Sequence, residues 1–411
     1  MGQLQCALPP CSSDNEKKSP PDHLISESSN SLSHQPSLPS VPSLTASFHH
    51  LKQPSAAGYH RISILKGHSS YIFSLVLAGK HLYSGSYDNE IRAWNLDQTS
   101  HVYQTDNIVA IGSSAAKSLV VFGDRLFSAH HDHKICVWKI HGDTHPRKYH
   151  CITTFPTLNN RLLMLLSPKN YVRVRRNKTS TWIHHVDTVS ALALSKDGSL
   201  LYSASWDRTF KIWRNSDFRC LESVDGAHDD AINALVLSTD GFVYTGSADK
   251  KIKVWKKHEG EKKHSLVTTL EIHKSAVNAL ALSSDGFVLY SGACDRSIIV
   301  WERDPNCEGG HMRVMGAIRG HNKAILCLAA VSDVLCSGSA DNTVRVWRRG
   351  MDKSYACLAV LEGHSRPVKC LTAAVDCDDE EHNSASGTSY LVYSGSLDCS
   401  IQIWKIWVPF F

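Results

Sequence analysis

From Tyr59 onward, apolar and small residues gather in runs of about six, too short for helices and right for strands. HLYSGS (81–86), LLYSAS (200–205) and VLYSGA (288–293) each lead into a tight turn at an Asp, and a second run follows such turns along the chain, as in IRAW, FKIW and VRVW. These pairs predict hairpins. Beyond the Trp that ends each pair lie a charged loop and one more short strand, as in CITTF and SLVTTL. Each unit therefore predicts four strands with polar turns between them, and the unit recurs along the chain.

The polar marks fix the count at seven. An Asp stands six residues before a Trp in Asp88/Trp94, Asp132/Trp138, Asp207/Trp213, Asp249/Trp255, Asp295/Trp301, Asp341/Trp347 and Asp398/Trp404. Four residues before each Asp is a hydroxyl: Ser84, Ser128, Ser203, Thr245, Ser291, Ser337 and Ser394. A His precedes six units (His68, His185, His228, His273, His321, His364), and the second has Gly112 at the matching place. An indole only donates, a carboxylate only accepts, and hydroxyl and imidazole do both, so the four types form a directional relay of hydrogen bonds. Buried inside a sheet, such a relay fixes strand and turn, because a missing member strands a polar partner. Seven hydrolase triads would need seven active sites, so the residues are read as structural, not catalytic. A period near 40–45 residues is that of a propeller blade, and the fold predicted is all-β, a seven-bladed β-propeller. The last unit ends soon after Trp404, so Arg61–Leu65 (RISIL) is expected to supply its outer strand.

The turn Asp, the Trp and the pairs Gly67-His68, Gly320-His321 and Gly363-His364 resemble the WD-repeat family over about residues 59–411. The residue after each Trp is Asn, Lys, Arg or Glu and never Asp, a position the family leaves free. The resemblance implies a non-enzymatic scaffold that binds other proteins at one end of the ring, as a monomer within a complex. Residues 151–194 resemble more narrowly the insertion of plant Jingubang-type WD-repeat proteins. That likeness implies a plant negative regulator of pollen germination or growth acting with transcription factors. A substrate receptor of a ubiquitin ligase is the alternative, but Trp301-Glu302-Arg303-Asp304 has Asp where that class has Arg, and no F-box is evident.

Composition narrows the rest. Residues 1–58 hold eight of the 14 prolines among many serines and are expected to be a disordered tail. Gly2 invites an N-terminal lipid, yet Cys6 stands where the acylation signal has Ser or Thr. No apolar stretch is long enough to span a membrane. The 13 cysteines include no CxxC pair and sit mostly inside apolar runs, which points to a reducing cytoplasmic or nuclear setting. No phosphate loop or spaced metal-ligand set is present, so no cofactor is expected. His130-His131-Asp132-His133 places ligand types side by side, but Asp132 is the turn residue, and a neighbouring His is read as its substitute partner, not as a metal ligand.

Recognition is expected where the His loops and Asp turns share one end of the strands. Three positions per blade face it: the third and fifth residues after the His and the residue before the Asp. Blade one supplies Tyr71, Phe73 and Tyr87, blade two Lys117 and His131, blade three Thr188, Ser190 and Trp206. The other blades offer mostly small residues there, such as Ala231, Asn233, Ala248, Asn278 and Ala340. An insertion at 156–184 emerges beside these blades with Arg161, Lys169, Arg173, Arg175, Arg176 and Lys178 and no acid, flanked by Tyr171 and Trp182. Its charge suits an acidic or phosphorylated protein segment, with RNA or DNA as the alternative.

Overall fold

The computed structural model describes residues 41–45, 58–96, 107–142, 148–158, 160, 162, 171–175, 178–304, 310–376 and 387–409. The chain divides into two units, Met1–Pro42 and Ser43–Phe411, and the strands belong to the second. The described strands form seven antiparallel four-stranded sheets, the blades of a propeller, plus a separate two-stranded hairpin. Blade one runs from the inner strand Ile72–Ala78 through His81–Ser86 and Glu90–Asn95 to the outer strand Ile108–Ile111. The next five blades repeat that order. In blade seven, Val368–Val375, Gly387–Ser396 and Ser400–Pro409 take their outer strand from the other end of the unit, Gly58–Lys66. Leu65 stands opposite Ile401 there, and Arg61 opposite Trp404.

The second strand of each blade is buried on both faces, because a neighbouring blade covers each side. Its central small residue sets how near that neighbour comes. A Cβ on Gly292 would lie 2.4 Å from Ile325 Cγ2 of the next blade, and one on Gly395 would lie 2.9 Å from Ile72 Cγ2. Leu65, Ile72, Leu82, Trp94, Tyr393 and Ile401 make one core cluster across the closing seam. Side chains also bridge each inner strand to the next. Ser74 Oγ accepts the Leu119 N–H (2.9 Å) and Ser118 Oγ the Leu192 N–H (3.1 Å). Ser190 donates to the Ile232 carbonyl, Asn233 to that of Val277 (3.0 Å) and Asn278 to that of Ile325 (2.8 Å). The Cys327 and Cys370 thiols reach the carbonyls of Val368 (3.6 Å) and Ile72 (3.8 Å), which completes the ring. Ser190, Asn233 and Asn278, expected on the recognition face, thus hold blades together.

In six blades the relay closes with little variation. His Nε2 lies 2.8–2.9 Å from the hydroxyl, His Nδ1 2.8–3.0 Å from the turn Asp, and the Trp Nε1 donates to the same hydroxyl at 2.8–3.1 Å. Each Asp also clamps backbone: Asp88 accepts the Ser69 and Glu90 N–H groups, both at 2.9 Å. The residue after each Asp sits at φ 67–72°, the left-handed conformation that the tight turn demands. Burial would raise these carboxyls, but the His bond and charge and the backbone donors win. Asp88 and Asp249 are held down to about 2, and Asp207, Asp295, Asp341 and Asp398 are lowered as well.

The indoles of the relay are also core residues. Trp213 and Trp347 are each 1% exposed and are among the largest fully buried side chains, so they are core residues out of reach of any partner. Trp213 Nε1 donates to Ser203 Oγ (2.9 Å) while its ring lies on Phe155 of blade two, 5.0 Å centre to centre. Trp347 Nε1 donates to Ser337 Oγ (2.8 Å) inside the cluster of Ile318, Leu335 and Tyr355. The reason is the size of the ring: one N–H joins the relay, and the rest of the indole is apolar surface that must be packed.

Blade two corrects another expectation. No His takes over Asp132; its carboxylate is held by Ser113 (2.6 Å) and Lys134 (2.6 Å). The hydroxyl end of the relay survives by another route. His130, on the strand itself, puts Nε2 2.8 Å from Ser128 Oγ, which also accepts the Trp138 indole N–H at 2.8 Å. Gly112 makes the room, since a Cβ there would lie 2.9 Å from His130 Cε1. Inside the segment read as tail, Gly58 opens the closing strand, and Ser43–Thr45 makes parallel bridges to Ala317 and Tyr355.

Candidate functional site

The register that aligns the blades carries seven of the sequence-selected side chains into one run of contacts. Tyr87, in the turn before Asp88, lies 6.1 Å from both Tyr71 and Phe73, ring centre to ring centre. On the inner strand of blade two, Ala116–Phe122, Lys117 stands with its Nζ 3.6 Å from the centre of the Phe73 ring and 5.5 Å from that of Trp206. Trp206, before the Asp of blade three, meets His131 edge-on at 6.2 Å. His131 Nδ1 is 2.6 Å from Thr188 Oγ1, and Thr188 is buried beneath. Burial first and the Lys117 charge second hold the His131 imidazole below its usual range. An ammonium held between two aromatic faces, with a neutral imidazole beside it, makes a surface both apolar and cationic.

The backbone positions these groups by repetition. Tyr87 N–H donates to the Tyr71 carbonyl (2.8 Å), His131 N–H to that of Ala115 (3.0 Å) and Trp206 N–H to that of Thr188 (3.0 Å). Every turn is thus tied to the loop that carries its neighbour. The insertion leaves the outer strand of blade two at Phe155 and returns before the inner strand of blade three, Val189–Leu194, on the side of the His loops. Within it Tyr171–Arg175 pairs with Lys178–Thr181, so Arg173 stands opposite Thr179 and Arg175 opposite Lys178. Arg161, Lys169 and Arg176 lie outside the described residues. Trp182 is half-buried, and its carbonyl accepts Lys211 Nζ at 2.6 Å. Lys211 is 2% exposed, also donates to Ser223 Oγ, and has its pKa lowered by burial. This anchor was missed, although a lysine inside the apolar run FKIW was a signal for it.

Among the described residues one group of metal-ligand types converges, His68, Asp88 and Glu90, with donor atoms within 4.8 Å. All are already engaged, His68 with Ser84 and Asp88, and Glu90 with Arg92. The His130 and His131 rings turn to different partners, Ser128 and Thr188.

The family model for the WD domain, G-beta repeat, matches residues 60–95, 176–214, 218–256, 264–302, 312–348 and 355–405, more than half of the chain. The chain belongs to the WD40 family. The widest gap between matched WD40 windows, 96–175, takes in blade two, where the relay His comes from the hydroxyl's own strand instead of the preceding loop. The chain is similar to mouse Jouberin (28% identity over 29% of this chain and 12% of that protein). It is similar to the small ribosomal subunit protein RACK1 of Drosophila melanogaster (31% over 20% of this chain and 26% of that one). Mitochondrial division protein 1 of Schizosaccharomyces pombe aligns at 27% identity over 48% of this chain and 25% of its own length. Each alignment thus covers about a quarter or less of the relative. WD40 propellers generally serve as protein-interaction scaffolds and not as enzymes. No helix among the described residues is long and apolar enough to cross a membrane.

Proposed function

We propose that this WD40 propeller is a regulatory scaffold that binds an acidic or phosphorylated segment of another protein across blades one to three. The observation that carries the reading is the placement of Lys117 between the Phe73 and Trp206 rings, flanked by Tyr87 and His131. Aromatic groups around a cation supply apolar contact and charge recognition together, the composition of interface hot spots. The basic insertion, which returns beside blade three, adds positive charge on the side from which a partner approaches. The resemblance of residues 151–194 to the Jingubang-type insertion extends the proposal to a plant repressor of pollen germination or growth that engages a transcription factor, in cytoplasm or nucleus.

The test starts by recovering partners with the intact chain beside a form lacking 156–184. With the recovered partner, Tyr87→Ala and Trp206→Ala should each weaken binding by about 2 kcal/mol or more without lowering the melting temperature. Charge reversal at Arg173, Arg175 and Arg176 should act mainly on the association rate and its salt dependence. Ala248→Glu in blade four and Ala340→Glu in blade six, outside the proposed surface, should be silent. If those two abolish binding while the aromatic variants retain it, the surface lies elsewhere.

A further inference from the structure

The outer strands of a propeller are its free edges, with backbone donors and acceptors available for a further strand. One seam is already occupied. Leu44 N–H donates to the Ala317 carbonyl on the outer strand of blade five (2.9 Å), and Tyr355 N–H on the outer strand of blade six donates to the Leu44 carbonyl (2.8 Å). Three residues thus join two blades. The Leu44 side chain packs, half-buried, on the core cluster that contains Ile318 and Tyr355. Thr45 Oγ1 accepts the Arg319 N–H (2.8 Å) and donates to the Arg319 carbonyl (3.1 Å).

These contacts select a sequence. Pro-Ser-aliphatic occurs three times in tandem, at Pro36-Ser37-Leu38, Pro39-Ser40-Val41 and Pro42-Ser43-Leu44. Any of the three could offer the backbone and the aliphatic side chain. Only the third is followed by Thr; the others are followed by Pro39 and Pro42, which have no hydroxyl for Arg319. The seated register is the one that supplies both an aliphatic group and a hydroxyl, in that order. Along the chain, twelve residues separate Thr45 from the closing strand at Gly58.

We propose that the seam between the outer strands of blades five and six is a peptide-binding groove for extended, uncharged segments with Leu followed by Thr. The chain's own Ser43–Thr45 holds it in cis, and a partner protein's segment of the same pattern enters by displacing it, as an added strand. Tethering gives the resident segment an effective concentration on the order of millimolar, so the groove is self-blocked against weak ligands.

The test uses the full chain and a labelled peptide of sequence SVPSLTASFH, read by fluorescence anisotropy. Leu44→Asp, and separately Thr45→Pro, should free the groove and let the peptide bind, while the unaltered chain binds it at least tenfold more weakly. Peptide carrying Asp in place of its Leu should bind none of the three. Unchanged circular-dichroism melts show that the variants keep the ring. Equal affinity for the unaltered chain and both variants, or binding to none, overturns the proposal.

Discussion

One hydroxyl in each blade serves an indole and an imidazole at once, so residues of the relay are not equivalent. Thr245 Oγ1 accepts the Trp255 N–H at 3.0 Å and lies 2.8 Å from His228 Nε2. Trp255→Phe leaves one buried partner short and should cost about 1–3 kcal/mol in chemical unfolding; Thr245→Val orphans two and should cost more. Equal, small losses would mean that packing, not the relay, carries the blade. The same residues set the acid response. Burial lowers the pKa of His185 and His130, so below about pH 6.5 the unfolded chain takes up protons that the native blades refuse, and stability falls. Asp88 and Asp249 are depressed to about 2, so their contribution is complete above about pH 4 and is lost as the pH falls toward 2. Melting temperature against pH should therefore descend in two steps, and His185→Gln should shrink the first. A single step near pH 4 would remove the histidines from the account.

At the scale of strands, the hairpins were legible because alternation and turn chemistry are local: Ser-x-Ser, Asp, then an apolar run ending in Trp. The hydrogen bonds of Trp213 and Trp347 were legible for the same reason, whereas their place in the core depends on which blade covers each ring. The closing strand was legible by elimination, since RISIL had no hairpin partner of its own, although the pairing extends further, over Gly58–Lys66. Two features were not. Ser43–Thr45 pairs with residues some 270–310 positions away, and nothing within the serine- and proline-rich segment distinguishes it except Thr45, where each of the two earlier repeats is followed by a proline. The His130 substitution hides because the ring reaches Ser128 from the same strand, two residues on, instead of from the preceding loop. Closure itself can be tested. Leu65 is 1% exposed in the seam cluster, so Leu65→Asp, or deletion of 58–66, should abolish the cooperative melt, whereas deletion of 1–40 should leave it unchanged. A cooperative melt that survives Leu65→Asp would show that three strands suffice for blade seven.

For the whole ring, the repeat marked candidate positions on one face, but their grouping arises between blades. Lys117 reaches the Phe73 ring only because the strands of blades one and two stack, and Trp206 joins them from some 90 positions along the chain. Thr188 and Ser190, marked by the same register, turn inward to neighbouring blades, a choice that depends on packing and not on spacing. The last blade adds a consequence in time. Lys66 leaves the ribosome about 330 residues before its partner Ser400, on the order of 20–60 s at about 5–20 residues per second. Throughout that interval the six earlier blades can stack, but the apolar seam face of blade one and the strand Gly58–Lys66 wait without a mate. Newly made chain is therefore exposed to chaperones and to other chains' edges until Ser400–Pro409 has been made, and the join between these two strands governs how much of it reaches the closed ring.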